Sequence, residues 1–391
     1  MGEDRHIRSP RLAFVAALLL SASLGTIHAF SVLIEPLESS YQANRGAVSF
    51  IYSLALVSLT VAVLLSHRVF ERCSPAAIIL TVAGGVSFGL LTAGMGDTLF
   101  SAILGYGLIF GFANGLGYAL ALQLAGHAYP DRRGIFMGAV TAIYALGALL
   151  QAQFLQTFLD AFGLGGAFYA WAISLVLFII MAAAAARKSA IGLSKEPAKS
   201  RVAAKPLAKA HLAWLWTGYF TGCTAGLMAI GHAAALVSAA GGSAALAALG
   251  IVIISLGNGV AGLLAGYGAD RFSLRLLMAT LPVISIVGLL ALAVVDDPAA
   301  AIVALGVVGF AYGAIISIYP VAASRFFGLA AGAKAYGIIF TAWGVAGMVG
   351  PLMAGHFYDS SGSYALALYL AAGIAVLSSL AIVFMPKVNP T

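Results

Sequence analysis

Residues 300–323 read AAIVALGVVGFAYGAIISIYPVAA and contain no Asp, Glu, Lys or Arg. About 20 consecutive apolar residues suffice for one helix to cross the hydrocarbon core of a bilayer. Similar runs recur along the chain at 12–34, 46–66, 76–95, 99–124, 134–158, 165–186, 211–238, 244–267, 275–295, 300–323, 336–357 and 363–385. The sequence therefore predicts an all-α membrane protein with twelve transmembrane helices.

The composition excludes several classes of protein. Hydrophobic residues make up 62% of the 391 residues and charged residues only 8%, whereas soluble domains have about 45–50% and about 25%. A soluble enzyme, a nucleic-acid-binding protein and a disordered chain are therefore excluded. The two cysteines, Cys73 and Cys223, form no CxxC pair, and no stretch reads GxxxxGK[ST], so we predict no metal, cofactor or ATP site.

The basic residues indicate the orientation. Nineteen of the 20 Lys and Arg residues lie at the N-terminus, in alternate connections or in the C-terminal tail, whereas Arg45 shares the opposite face with seven acidic residues. Basic residues collect on the cytoplasmic side of membrane proteins. We therefore expect both termini in the cytoplasm and the chain in the plasma (inner) membrane. The net charge of +7 is then an orientation signal and an attraction to anionic lipid.

The two halves of the chain resemble each other. Residues 309–313 read GFAYG and residues 111–115 read GFANG, while TAIYA at 141–145 answers TAWGV at 341–345. The predicted domains are an N-terminal six-helix bundle at 1–186, a cytoplasmic linker at 187–210 and a C-terminal six-helix bundle at 211–391. Duplicated halves of this kind bind substrate between them, near the middle of the membrane.

Several motifs resemble those of a known family. Residues 266–275 read GYGADRFSLR and are similar to the loop signature GxxxDRxxxR of major facilitator transporters, although SHRVFER at 66–72 lacks the matching Asp. GTIHAFSVLIEPL at 25–37, YPDRRG at 129–134 and YGIIFTAWGVAGMVGP at 336–351 resemble the oxalate:formate antiporter and monocarboxylate transporter branch. The resemblance implies the major facilitator fold and assigns Asp270, Arg271 and Arg275 to a gate.

The resemblance also implies a substrate class and an alternative to it. It suggests a secondary active transporter of a small organic anion, most simply a monocarboxylate, working by proton symport or anion exchange. In that branch an arginine is common at the position of Gly262, and oxalate carriers have a lysine at the position of Trp343. Because both cations are absent here, a carrier of a neutral or zwitterionic small solute is the alternative.

The polar residues inside the predicted helices are the candidate substrate ligands. His28 and His232 occupy matching positions in the first and seventh runs, and imidazole can take up a proton near neutral pH. Asparagine can bind a carboxylate or an amide with two hydrogen bonds, and tyrosine and tryptophan supply a donor on an apolar ring. These candidates are Asn114, Tyr118, Tyr144, Asn258, Tyr312 and Trp343.

Each of these side chains has a structural alternative: it can be a buried polar group that is hydrogen-bonded to a facing carbonyl, or it can join two helices by a hydrogen bond. His356 and Asp359, near the end of the eleventh run, are better read as gate or interface residues. A membrane sensor or enzyme is disfavoured because the chain shows no added soluble domain and no cluster of catalytic side chains. We expect a monomer whose partners are a small-molecule substrate, lipid and, as a further candidate, protons.

Overall fold

The computed structural model describes residues 9–70, 72–129, 133–191, 209–327 and 329–386, and within them the regular structure is helical. The elements, in chain order, are α1 (Pro10–Leu24), a 3-10 segment (Gly25–Leu33), α2 (Ile34–Tyr41), α3 (Arg45–Phe70), α4 (Pro75–Met95), α5 (Leu99–Ala102), a π segment (Ile103–Phe110), α6 (Gly111–Ala128), α7 (Arg133–Ser189), α8 (Lys209–Gly231), α9 (Ala233–Ala239), α10 (Ala244–Arg271), α11 (Leu274–Val294), α12 (Pro298–Phe327), α13 (Leu329–Ser361) and α14 (Ala365–Phe384).

The described helices can be divided into twelve membrane crossings. Among the described residues, ten helical stretches are long and apolar enough to span a membrane, and the bent pair of α8 and α9 makes an eleventh. The stretch Ile135–Ser189 has 55 residues, and a straight helix of that length would measure about 80 Å against about 30 Å of hydrocarbon. Gly163 interrupts it with φ 67° and ψ −176°. Since Gly163 falls between the predicted runs 134–158 and 165–186, this stretch makes two crossings.

The first and seventh crossings are irregular at matching places. The first crossing changes from α1 to the 3-10 segment at Gly25, and this segment contains His28. The seventh bends by 64° between α8 and α9, and His232 lies at the bend with φ −120° and ψ 16°. Non-helical backbone at membrane depth is tolerated where protein buries it, and both histidines are at least nine-tenths buried. The sequence predicted both as unbroken helices, so the breaks are a feature of the tertiary structure.

The repeated glycine motif forms the same helix contact in each half. A methyl group on Gly115 would lie 2.1 Å from the Leu59 carbonyl oxygen, so α6 packs closely on α3. In the second half, a methyl group on Gly313 would lie 2.1 Å from the Asn258 carbonyl oxygen, so α12 packs closely on α10. Small residues let transmembrane helices approach each other in this way. The motif is therefore a packing device shared by the two bundles.

The two bundles meet mainly where α3 packs on α13 and where α7 packs on α10. Outside these seams, large apolar side chains such as Phe88 and Met181 are more than half exposed, as a lipid-facing surface requires. The predicted linker was 187–210; helix α7 continues to Ser189, α8 begins at Lys209, and residues 192–208 are outside the described part. We call the end at which α1 begins and α7 ends the proximal end. The opposite end, with the α2–α3 and α13–α14 connections, is the distal end.

Candidate functional site

A small cavity lies between the two halves, at the place where duplicated transporter halves bind their solute. Its lining residues come from both bundles and are His28, Leu59, Tyr118, Thr141, Tyr144, Ala145, Asn258, Tyr312, Ile316, Phe340 and Trp343. Six of the eight predicted ligands are therefore brought together at one site. The other two, Asn114 and His232, lie outside this lining. Among the described residues, the lining contains no Lys, Arg, Asp or Glu.

His28 is one of the residues that line the cavity. The 3-10 segment that carries it is buried between helices, and its Nδ1 lies 2.6 Å from the hydroxyl of Tyr52 on α3. A neutral imidazole has one donor and one acceptor. When the Tyr52 hydroxyl donates to Nδ1, the ring proton of His28 is on Nε2, which can then donate to a ligand in the cavity.

Asn114 lies outside the cavity and positions residues that line it. Its Nδ2 donates to the Leu24 carbonyl oxygen at 2.6 Å, and its Oδ1 accepts from the Tyr144 hydroxyl at 2.7 Å. Leu24 is the residue at which α1 changes to the 3-10 segment. Asn114 thus bonds to a carbonyl group near the irregular backbone and also holds the Tyr144 side chain in position. The ring centroids of Tyr144 and Tyr118 are 4.6 Å apart. It is buried and positions cavity residues without lining the cavity itself.

The second half contributes aromatic side chains to the cavity, and one of them, Tyr312, has a hydroxyl proton that can be donated to a ligand. Trp343 Nε1 donates to the Tyr312 hydroxyl oxygen at 2.8 Å, so the proton of that hydroxyl can be directed to a ligand. The ring of Phe340 stacks on Trp343 with centroids 5.2 Å apart. Asn258 on α10 adds a partly exposed amide to the same cavity. These residues form an apolar pocket with donors at its rim.

His232 belongs to a different site at the distal end. Its Nδ1 lies 3.1 Å from the hydroxyl of Tyr364, which precedes α14, and its Nε2 lies 3.1 Å from the Pro351 carbonyl oxygen and 3.3 Å from Ser49 Oγ. Burial raises the pKa of the Tyr364 phenol, although Arg45 opposes this shift, so the phenol keeps its proton. The sequence predicted His232 as a substrate ligand beside His28. The bend after Gly231 places it in this distal cluster instead.

Arg45 joins the two halves in the same cluster. Its guanidinium binds both carboxylate oxygens of Glu38, at 2.6 and 2.7 Å, and donates from Nη1 to the Tyr364 hydroxyl at 3.0 Å. It also lies 4.1 Å from the ring centroid of Tyr358. Asp359 accepts from the backbone N–H groups of Arg45, at 3.0 Å, and of the next residue, at 2.8 Å. A carboxylate on α13 thus caps the N-terminus of α3 across the interface, and the distal end is closed.

The predicted proximal gate is only partly described. Arg275, near the start of α11, donates to the carbonyl oxygens of Val383, at 2.7 Å, and of Met385. Both acceptors lie at the end of α14, where a cation is favoured by the helix dipole. Arg271 is exposed and has a further interaction. The side chain of Asp270 is outside the described part, so the gate role of these three residues stays a prediction.

Sequence reasoning missed five lining residues, and of the distal cluster it had indicated Asp359, as a gate or interface residue, but not the arrangement around Arg45. Ile316 follows Tyr312 by four residues and Phe340 precedes Trp343 by three, so helical spacing could have indicated both. Nothing in the sequence distinguishes Leu59, Thr141 and Ala145 from residues that only pack between helices. The sequence did single out Arg45, because it is the one basic residue on the predicted face that carries seven acidic residues.

Comparisons with known proteins agree with this architecture. The sequence model of the Major Facilitator Superfamily matches residues 215–391. An uncharacterized MFS-type transporter, YhjX of Escherichia coli strain K12, is 27% identical over 88% of this chain and 87% of its own. The oxalate:formate antiporter of Oxalobacter formigenes is 24% identical over 86% of this chain and 82% of its own. The nucleoside transporter NupG, in a D323A mutant, has the same fold, with a TM-score of 0.73, 14% identity and coverage of 96% of this chain and 100% of its own.

Proposed function

We propose that this chain, a multi-pass transporter of the major facilitator superfamily that resembles the oxalate:formate antiporter and monocarboxylate transporter branch, carries a small monocarboxylate by alternating access. Proton symport and anion exchange are both compatible with the site. The observation that supports this substrate class is the set of neutral hydrogen-bond donors that line the central cavity. We place the protein in the plasma membrane, where bacterial transporters of this type work.

A carboxylate matches the donors of the cavity. An ionised carboxylate only accepts hydrogen bonds and offers about four lone-pair positions. His28 Nε2, the hydroxyls of Tyr118 and Tyr312 and the amide of Asn258 can each donate one. Hydrogen bonds to a charged group are roughly twice as strong as neutral ones. Four such donors in a largely apolar pocket offset part of the desolvation of one negative charge.

The same four residues span both halves, as alternating access requires. His28 and Tyr118 belong to the first bundle, and Asn258 and Tyr312 to the second. A solute bound between rocking halves can be released to either side while its ligands stay attached to their own half. The pocket is also small and largely aromatic, which favours a solute of a few heavy atoms. Formate, acetate, lactate and pyruvate are of this size.

The alternative substrate is a neutral or zwitterionic small solute. The specific observation in its favour is that no Lys or Arg is among the lining residues. An amide or an amino acid could use the same donors together with the carbonyl oxygen of the Asn258 side chain. The described lining residues carry no fixed positive charge, so ligand pairs that differ in charge but not in shape distinguish the two substrates.

A binding assay with matched ligand pairs tests the proposal. Purified protein is titrated with acetate and acetamide, and with lactate and its amide, and its thermal stability is followed, since a ligand stabilises the state that it binds. We expect the carboxylates to stabilise and the amides to have little effect. Tyr312→Phe should weaken carboxylate affinity about tenfold, as expected for the loss of one charge-assisted hydrogen bond. Tyr369→Phe, at a lipid-exposed ring, is the matched control and should bind normally.

Two results would contradict the monocarboxylate assignment. Stabilisation by an amide or an amino acid, but by no carboxylate, would establish the alternative. Equal affinity of the Tyr312→Phe and Tyr369→Phe variants for the carboxylate would show that the cavity is not where it binds. A pH dependence of net uptake, but not of exchange, would then separate symport from exchange.

The proposed orientation places the proximal end in the cytoplasm. Cys73 is exposed in the connection between α3 and α4 at that end, and Cys223 is buried. In intact cells an impermeant thiol reagent should leave Cys73 unmodified, whereas a cysteine at the distal position Ser360 should react. Labelling of Cys73 from outside would reverse the topology.

We also expect a monomer by mass photometry, because one chain contains both halves of the cavity.

A further inference from the structure

His232 bridges the two halves of the molecule at a point outside the substrate cavity. Its imidazole is 1% exposed and sits in the break between α8 and α9 of the second half. Ser49, 3.3 Å from Nε2, lies on α3 of the first half. Tyr364, 3.1 Å from Nδ1, is also bonded by Arg45 of the first half. The ring is therefore part of the contact that closes the distal end.

The directions of these hydrogen bonds define the state of the ring. A guanidinium has no acceptor, so Arg45 must donate to the Tyr364 hydroxyl oxygen. Tyr364 then has one proton, and His232 Nδ1 is positioned to accept it. The Pro351 carbonyl oxygen can only accept, so Nε2, 3.1 Å away, carries the ring proton, and Nδ1 of the neutral ring is the acceptor for Tyr364. Every polar atom of this contact is satisfied when His232 is neutral.

A second proton on the ring would disrupt the contact. An Nδ1–H group would point at a hydroxyl whose own proton is already directed toward it. The imidazolium would also carry a positive charge close to Arg45. Because the Tyr364 oxygen lies 3.0 Å from Arg45 Nη1 and 3.1 Å from His232 Nδ1, the two nitrogens are at most about 6 Å apart, and like charges at this distance repel strongly in a buried site.

The surroundings of His232 offer little to compensate a second positive charge. The titratable and charged groups on the distal parts of the elements around it are Arg45 and Tyr52 on α3, Glu35, Glu38 and Tyr41 on α2, His28 on the 3-10 segment, His356, Tyr358 and Asp359 on α13, and Tyr364 before α14. Glu35 is exposed, Glu38 is already paired with Arg45, and Asp359 is bonded to the N-terminus of α3. Described residues of α9 and of the distal half of α10 contribute no ionisable side chain.

We propose that His232 is a proton-binding site of the distal gate, separate from the substrate cavity, and that its protonation releases Tyr364 and opens the distal end. The closed distal end then corresponds to neutral His232, and the open end to the imidazolium with water as its partner. The gate opens as the pH on the distal side falls. This inference does not depend on which solute the central cavity carries.

The accessibility of a buried thiol at the distal seam tests this. Ser53 on α3 is fully buried and donates to the Met348 carbonyl oxygen at 3.2 Å. A Ser53→Cys protein, with the native cysteines replaced, is reconstituted in nanodiscs and labelled with an impermeant maleimide from about pH 7.5 down to about pH 5.5, across the range in which histidine titrates. Rates are divided by those of a Ser360→Cys protein, because the thiolate fraction itself falls with pH.

The expected result is a normalised labelling rate that rises at least fivefold as the pH falls. His232→Gln should abolish this rise, whereas His28→Gln, the equivalent change in the first half, should keep it. Tyr364→Phe is the second variant: it retains the histidine but removes the shared hydroxyl, so labelling should be faster at high pH and should rise less. An unchanged rise in His232→Gln, or a flat profile in the parent protein, would overturn the proposal whatever the substrate assay shows.

Discussion

Asp359→Ala should weaken closure of the distal end without harming either bundle. In the closed structure the two carboxylate oxygens of Asp359 accept from the first two N–H groups of α3, at 3.0 and 2.8 Å. These bonds join α13 of one half to α3 of the other. When the halves separate, water takes over both N–H groups, so the bonds stabilise the closed state selectively.

The size of the effect follows from known capping energies. Replacing a capping side chain with Ala costs about 1 kcal/mol and reaches about 2 kcal/mol in favourable cases. Asp359 is exposed, so the lower figure applies, and about 1 kcal/mol corresponds to a fivefold change in the ratio of open to closed molecules. Asp359→Asn keeps one acceptor oxygen and should produce roughly half of this free-energy change.

The Ser53→Cys labelling assay measures this ratio. When opening is fast relative to labelling, the rate follows the population of the open form, so Asp359→Ala should label about fivefold faster. Asp160→Ala is the matched control, because this distal carboxylate is bonded by Gln156 within its own half. Equal labelling of the Asp359→Ala variant and its parent, or an equal increase in Asp160→Ala, would refute the idea that the cross-half cap holds the gate.

Three further predictions concern the cavity and its support. Gly25→Ala should prevent folding or sharply lower the melting temperature, because a methyl group there would lie 1.7 Å from a backbone carbonyl oxygen of α7. Gly84→Ala is the control: a methyl group at Gly84 would have no atom within 4 Å, so the melting temperature should not change. Asn114→Leu should destabilise the protein by about 1–3 kcal/mol, because it removes one hydrogen bond to the Leu24 carbonyl oxygen and leaves the Tyr144 hydroxyl buried without its acceptor. An unchanged free energy of unfolding in denaturant would contradict its positioning role. Trp343→Phe should keep the aromatic stacking with Phe340 but remove the hydrogen bond to the Tyr312 hydroxyl. Carboxylate affinity should therefore fall a few-fold with little loss of stability. Unchanged affinity by calorimetry would show that Trp343 and Tyr312 are not part of the binding site.

The candidate site was only partly accessible to sequence reasoning, and the two histidines show why. Both sit at matching positions of a repeat, and the sequence offers no reason to separate them. His28 lies in a 3-10 segment that keeps the direction of its helix, so its ring faces the cavity. His232 lies at a 64° bend that turns its ring toward the distal seam. A bend of this kind depends on the side chains that pack around it, and these come from distant parts of the chain.

Asn114 shows a second limit. The sequence placed it correctly on the same helix face as Tyr118, one turn away. Whether an asparagine at that position contacts solute or backbone depends on which carbonyl group of the neighbouring helix lies within its reach. Leu24 supplies that carbonyl, 90 residues earlier in the chain. Side-chain spacing within one helix carries no information about such a partner.

The sequence by itself determined the features that depend on local composition. Long uncharged runs must be helical in lipid because each backbone N–H and carbonyl group needs a partner within the segment, and the repeated glycines mark where helices approach because no side chain intervenes. The tertiary structure alone decided which polar side chains share a cavity and which form the distal contact. Arg45, Asp359, His232 and Tyr364 are separated by up to 319 residues, and only the packing of the two halves brings them within hydrogen-bonding distance.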